Sequence, residues 1–179
     1  MNRFTSAVEK AIEDRNWYAA LFISLSLPDI CARLESSDDK TNGMKYAAWF
    51  DRYLSSVYSA EMPFGKHVFM SGDDCYVLRC SMLHQGLSDV SHQKKKGVLD
   101  KFYFSSTGHH MNQVESVLQL NVARFCQDII GGVNDWYEDF INSHPDKVPK
   151  LNGLVTVHDK PFDVGYVHFG QDDLAAFRP

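Results

Sequence analysis

Apolar residues recur at three- and four-residue spacings over the first half of the chain. Phe4, Val8, Ala11 and Ile12 alternate with charged positions from Asn2 to about Arg15, which predicts an amphipathic helix. Trp17 to about Leu34 is apolar nearly all round as far as Leu27 and contains Pro28. It reads either as one kinked central helix or as two helices meeting at the proline. Ser36 to Gly43 is polar and turn-forming. Tyr46, Ala47, Phe50, Tyr53, Leu54 and Val57 then mark the apolar face of a helix from about Met44 to Tyr58. A connector with Pro63 and Gly65 leads to a fourth helix. Its ends are written into the sequence: Ser71 as N-cap, Asp74 at the capping-box position and Gly86 as C-cap.

The pattern changes after Gly86. Leu87 to Gly97 is a polar basic loop, and Leu99–Phe104 and Val117–Leu120 alternate apolar and polar residues. The two alternating runs predict a small hairpin flanking the helices. Asn121 can cap a further helix reaching about Asn142. Its apolar positions include Val122, Phe125, Ile129, Val133, Trp136 and Phe140, and Gly131-Gly132 marks a kink or a close helix contact. From Leu151 onward, alternation at Leu154–Val157 and Val164–Phe169 predicts a terminal hairpin or arm.

Composition narrows the class. With 179 residues, 44% of them hydrophobic and 13% aromatic, the chain can close one sizeable core but not two large ones. The net charge of −5 argues against coating nucleic acid by bulk charge, so a nucleic-acid site must be local. Cys31, Cys75, Cys80 and Cys126 form no C-x-x-C pair and read as reduced cytosolic thiols. The first residues lack a signal-like apolar run, and Trp17 to Leu27 is shorter than the roughly 20 residues that span a bilayer. These features lead to the expectation of a cytoplasmic protein with no membrane partner.

The fourth helix carries the one arrangement that suggests chemistry. On a helical projection Leu78, Met82, Cys75, Leu83, Tyr76 and Cys80 spread over a broad arc, and Arg79 falls near its middle. A guanidinium there needs an ion-pair partner, a wet cleft or a ligand. His84 follows five residues later on the border of the arc. A bland reading stands beside the chemical one. In it Arg79 pairs with an acid such as Asp74 or Asp51 to tie helices together, and His84 is a C-terminal residue favoured by the helix dipole.

The run Arg79-Cys-Ser-Met-Leu-His84, on a capped helix preceded by other helical segments, resembles the HEPN superfamily, whose signature is an arginine followed after four to six residues by a histidine. It is the only such match in the chain. Many active HEPN members carry a polar residue directly after the arginine, where this chain has Cys80. The resemblance implies a mainly α fold, a HEPN-like bundle of four to five helices with one or two short β-hairpins. It would occupy 1–145, with a hairpin inserted near 98–120, and 146–179 would be a C-terminal hairpin or arm packed on the same domain. The resemblance further implies a homodimeric endoribonuclease needing neither metal nor cofactor, possessing a composite site and leaving 2′,3′-cyclic phosphate and 5′-hydroxyl ends on RNA. Arg79 and His84 would be its catalytic residues. A toxin or defence effector partnered by an antitoxin protein fits that class. The alternative is a non-catalytic helical module that binds a nucleotide, RNA or a protein.

Three further features carry weaker signals. Lys94, Lys95 and Lys96 follow the motif closely enough to bind substrate phosphates, although such a triplet is more often a solvated loop. His109-His110, with His67 and His92, raises a metal reading. Adjacent side chains point apart, however, and no zinc spacing is present, so no metal site is expected. Phe102, Tyr103 and Phe104 have base-stacking chemistry but fit core or interface positions better.

Overall fold

The computed structural model describes residues 1–93, 97 and 99–170. Among the described residues there are five α-helices, α1 (Asn2–Glu13), α2 (Trp17–Glu35), α3 (Gly43–Leu54), α4 (Gly72–Gln85) and α5 (Val122–Ser143), with a 3₁₀ helix at Pro145–Gly153. A mainly helical protein is therefore correct at the level of class. The chain divides into two compact units, Met1–Val148 and Pro149–Pro179.

In the first unit α2 is the shared wall. It packs against α1, α3, α4 and α5, and buries Leu21, Leu25, Leu27, Cys31 and Leu34 among them. Packing on several sides accounts for most of its apolar residues, while Tyr18 and Phe22 stay exposed on one side of the helix. Of the two readings left open at Pro28, one continuous helix is the one found. Its start is capped by Asn16, whose side chain accepts the Ala19 N–H.

Among the described residues three short sheets accompany the helices. β1 (Ser59–Met62) and β2 (Gly65–Val68) form an antiparallel hairpin around Pro63 and an exposed Phe64, where the sequence suggested only a connector. The second sheet corrects the expected pairing. β3 (Lys101–Ser105) lies parallel to β5 (Val117–Asn121), and the hairpin partner of β5 is β4 (Asn112–Val114), so the order is β3-β5-β4. Alternation tells which residues of a strand share a face but not which way its neighbour runs, so two alternating runs could not distinguish a hairpin from a parallel crossover. The inward positions Phe102, Leu118 and Leu120 are buried as the alternation requires. Asn121 ends β5 and caps α5 through the Arg124 N–H, which turns the chain directly from sheet into helix. In the second unit β6 (Phe162–Val164) and β7 (Val167–Phe169) form a hairpin with Phe162 stacked on Phe169. The alternating run Leu154–Val157 forms no strand.

Two glycines let helices approach closely. A Cβ on Gly132 would lie 3.1 Å from Leu54 and 3.3 Å from Trp49, so this is the close contact of α5 with α3 that the Gly131-Gly132 pair suggested. Gly72, the first residue of α4, is tighter still: a Cβ there would sit 2.2 Å from the Ala47 carbonyl oxygen of α3. Gly131 faces open space. Gly72→Ala should therefore destabilise by about 2 kcal/mol or more, as overpacking against rigid backbone does. Gly131→Ala should stabilise by up to about 1 kcal/mol through helix propensity. Urea unfolding of the two variants beside the wild type measures both.

Candidate functional site: the Arg79–His84 end of α4

α4 is held at its start by a dense set of hydrogen bonds. The Ser71 hydroxyl accepts the Asp74 N–H, and Asp74 Oδ2 accepts both the Ser71 N–H (3.1 Å) and its hydroxyl (2.6 Å), completing the capping box. Asp74 Oδ1 also accepts the Leu99 N–H at 3.2 Å, and the Gly72 N–H donates to Asp51 at 2.7 Å. Gly86 closes the helix in the left-handed conformation, with φ of 69°. Both acids suggested as partners for Arg79 are thus occupied elsewhere, Asp74 in the cap and Asp51 on the Gly72 N–H.

The buried face of α4 is not the arc read from apolarity. It comprises Gly72, Asp74, Cys75, Val77, Leu78 and Ser81, whereas Met82, Leu83, Tyr76 and Cys80 are only half-buried. Arg79 consequently lies at the rim of the packed face and not at its centre. The reason is that Asp74 and Ser81 are buried polar residues whose hydrogen bonds are met, Asp74 as above and Ser81 by the Gln93 side-chain amide at 3.3 Å. Hydrophobicity alone places such residues outside.

At that rim three side chains meet. Arg79 Nε donates to Asp29 Oδ2 of α2 at 2.8 Å, with 22% of the Arg79 side chain and 13% of the Asp29 side chain exposed. Arg79 Nη1 lies 3.0 Å from His84 Nε2. His84 is exposed, in the last turn of α4. A five-residue separation does not stack two residues on a helix. The contact forms because helical side chains lean toward the N-terminus, so the imidazole reaches back over the preceding turn toward the long arginine. A guanidinium has no acceptor, so His84 Nε2 must receive the bond. The proton of the neutral ring is then at Nδ1. Burial works against the charge on Arg79, but the Asp29 carboxylate and the adjacent Cys80 outweigh it and raise its affinity for the proton above the ordinary value.

Asp29 is the residue that sequence reasoning missed. Its signal was present: an acid directly after Pro28, in a segment otherwise almost wholly apolar, needs a partner by the same reasoning that singled out Arg79. Its other oxygen, Oδ1, accepts the Thr41 hydroxyl at 3.1 Å, from the loop before α3.

The remaining candidates are dispersed. Lys94, Lys95 and Lys96 lie outside the described residues. His110 is a tie within the fold: Nε2 meets Asp128 at 3.1 Å, Nδ1 accepts the Asn121 N–H at 3.2 Å, and Asp128 also accepts the Tyr58 hydroxyl at 2.9 Å. His67 bonds Gln113 at 2.9 Å. Among the described residues no three His, Cys, Asp or Glu side chains gather as a metal site requires. Phe102 is buried and Phe104 packs edge-on to Phe125, while Tyr103 is exposed beneath the Lys101 ammonium. A cavity of about 570 Å³ lies away from the motif, lined by Met62, Phe64, His67, Phe69 and Gln113 among others. Among the described residues no helix is long and apolar enough to cross a membrane.

The thiols differ sharply in accessibility. Cys31, Cys75 and Cys126 are buried, and burial pushes Cys75 up to about 12 and Cys126 up to about 11, while Cys80 is half-buried beside Arg79. Titration with a thiol reagent near neutral pH should accordingly modify Cys80 alone in the native protein and all four cysteines after unfolding in denaturant.

No family model matches the chain, and neither a curated protein nor a solved structure matches it.

Proposed function

We propose that the chain is a metal-independent endoribonuclease of HEPN type, acting as a homodimer whose composite site takes Arg79 and His84 from each subunit. The observation that carries this reading is the 3.0 Å contact between Arg79 Nη1 and an exposed His84. A guanidinium binds a phosphodiester through paired N–H donors and stabilises the charge that grows on its oxygens. Imidazole exchanges protons near neutral pH. In the reaction the ribose 2′-oxygen loses its proton and bonds to phosphorus. The bond from phosphorus to O5′ breaks, and O5′ takes a proton, leaving a 2′,3′-cyclic phosphate and a 5′-hydroxyl. The acid in this reading is His84 in its imidazolium form, which gives a proton to O5′ and is left as neutral imidazole. The base would be the neutral His84 of the partner subunit, whose Nε2 takes the 2′-hydroxyl proton once the guanidinium has turned from the imidazole to the phosphodiester. Cytoplasmic toxin or defence activity, restrained by an antitoxin protein, is the setting that fits such an enzyme.

One observation favours a different reading. The Asp29–Arg79 pair is satisfied inside its own protomer, as a tie between α2 and α4 would be. On that reading the chain is a non-catalytic helical module that binds a nucleotide, RNA or a protein partner.

Incubation of purified protein with total RNA in the presence of a chelator separates the two. The nuclease reading expects chelator-insensitive cleavage with cyclic-phosphate ends, reduced about 10²–10⁴-fold in His84→Ala and about 10²–10³-fold in Arg79→Ala. Both variants should keep the wild-type circular dichroism and dimeric mass. Absence of cleavage across several RNA classes would instead support the binding module.

A further inference from the structure

A partly buried ion pair is a poor device for stability alone. Removing both charges from water is costly, and apolar residues of similar volume often serve as well or better. The geometry of the Asp29–Arg79 pair is unusual in a second way. Arg79 is not gripped side-on by two carboxylate oxygens, the arrangement that best satisfies a guanidinium. Asp29 gives Arg79 one oxygen only, Oδ2 to Nε at 2.8 Å, while Oδ1 is taken by the Thr41 hydroxyl at 3.1 Å. The Thr41 bond opposes a turn of the carboxylate toward the Nη edge, and that edge is where Nη1 meets His84 Nε2 at 3.0 Å.

We infer that Asp29, clamped by Thr41, is a positioning residue that aims the Arg79 guanidinium at His84 and so sets which nitrogen of the imidazole carries the proton. Three separate stretches contribute to this relay, α2, the loop before α3 and the end of α4. The direction of donation is fixed throughout: the Thr41 hydroxyl and Arg79 Nε both donate to Asp29, and Arg79 Nη1 donates to His84. Asp29 touches no reacting atom, and its effect passes entirely through Arg79. The consequence for catalysis rests on the nuclease reading above. The consequence for the imidazole does not.

The test reads the tautomer directly. In the full chain with ¹⁵N-labelled histidine, long-range proton–nitrogen correlation at a pH where the ring is neutral should show His84 protonated at Nδ1 and bare at Nε2. Asp29→Asn keeps the shape but removes the charge that orients Arg79, and it should move His84 toward the Nε2–H form. Thr41→Val, a mild change at an exposed position, should move it the same way by less, and it remains informative if Asp29→Asn does not fold. An Nε2–H His84 in the wild type overturns the inference. So does a His84 pattern unchanged by either substitution. In RNA cleavage, Asp29→Asn should lower kcat by about 100-fold, the scale of a misplaced reacting group, with KM little changed. A tautomer shift in a protein that cuts no RNA would leave the positioning role standing and remove the nuclease reading alone.

Discussion

Packing of α2 against four other helices is the constraint from which the rest of the first unit follows. Because α1, α3, α4 and α5 all pack on it, each must present an apolar face to it, and the apolar contact area among them supplies the main favourable term in folding. The same crowding makes any charge on α2 costly unless it emerges at an edge and finds a partner. Asp29 meets that requirement at the seam with α4, where Arg79 and Thr41 engage both of its carboxylate oxygens.

α4 is placed by a different kind of force. Its buried face includes Asp74 and Ser81, and its start is fixed by backbone and carboxylate hydrogen bonds to Ser71, Asp51 and Leu99, together with the glycine contact at Ala47. Hydrogen bonds are directional where apolar contacts are not, so they specify the rotation of a short helix about its own axis. That rotation brings Arg79 to the rim, where its Nε meets Asp29 of α2. A slightly rotated α4 would carry Arg79 and His84 round together and take the guanidinium away from Asp29 of α2.

The candidate site was half legible in the sequence. Arg79 and His84 stood out through spacing, caps and the cost of a charge among apolar neighbours, and the structure brings their side chains together. Asp29 is not legible as the partner of Arg79, because fifty residues separate them and Asp74 and Asp51 lie nearer in the chain. Those two acids are committed to the helix start, one as part of the capping box and the other on the Gly72 N–H. A capping box satisfies its acid locally, so Asp74 was the less available partner even by its position in the chain.

Local signals set the helices and their ends: the three- and four-residue periodicity, the caps at Ser71, Asn121 and Gly86, and the all-round apolarity that made the second helix the central one. Each depends only on residues within one or two turns, and the chain itself states them. Long-range choices belonged to the tertiary structure. The parallel pairing of β3 with β5, the burial of Asp74 and Ser81, the uninterrupted course of α2 through Pro28 and the meeting of Asp29 with Arg79 all depend on which segments become neighbours. Strand direction, buried polar partners and ion pairs are properties of two segments at once. A pattern read along one segment carries no information about the other until the fold has closed.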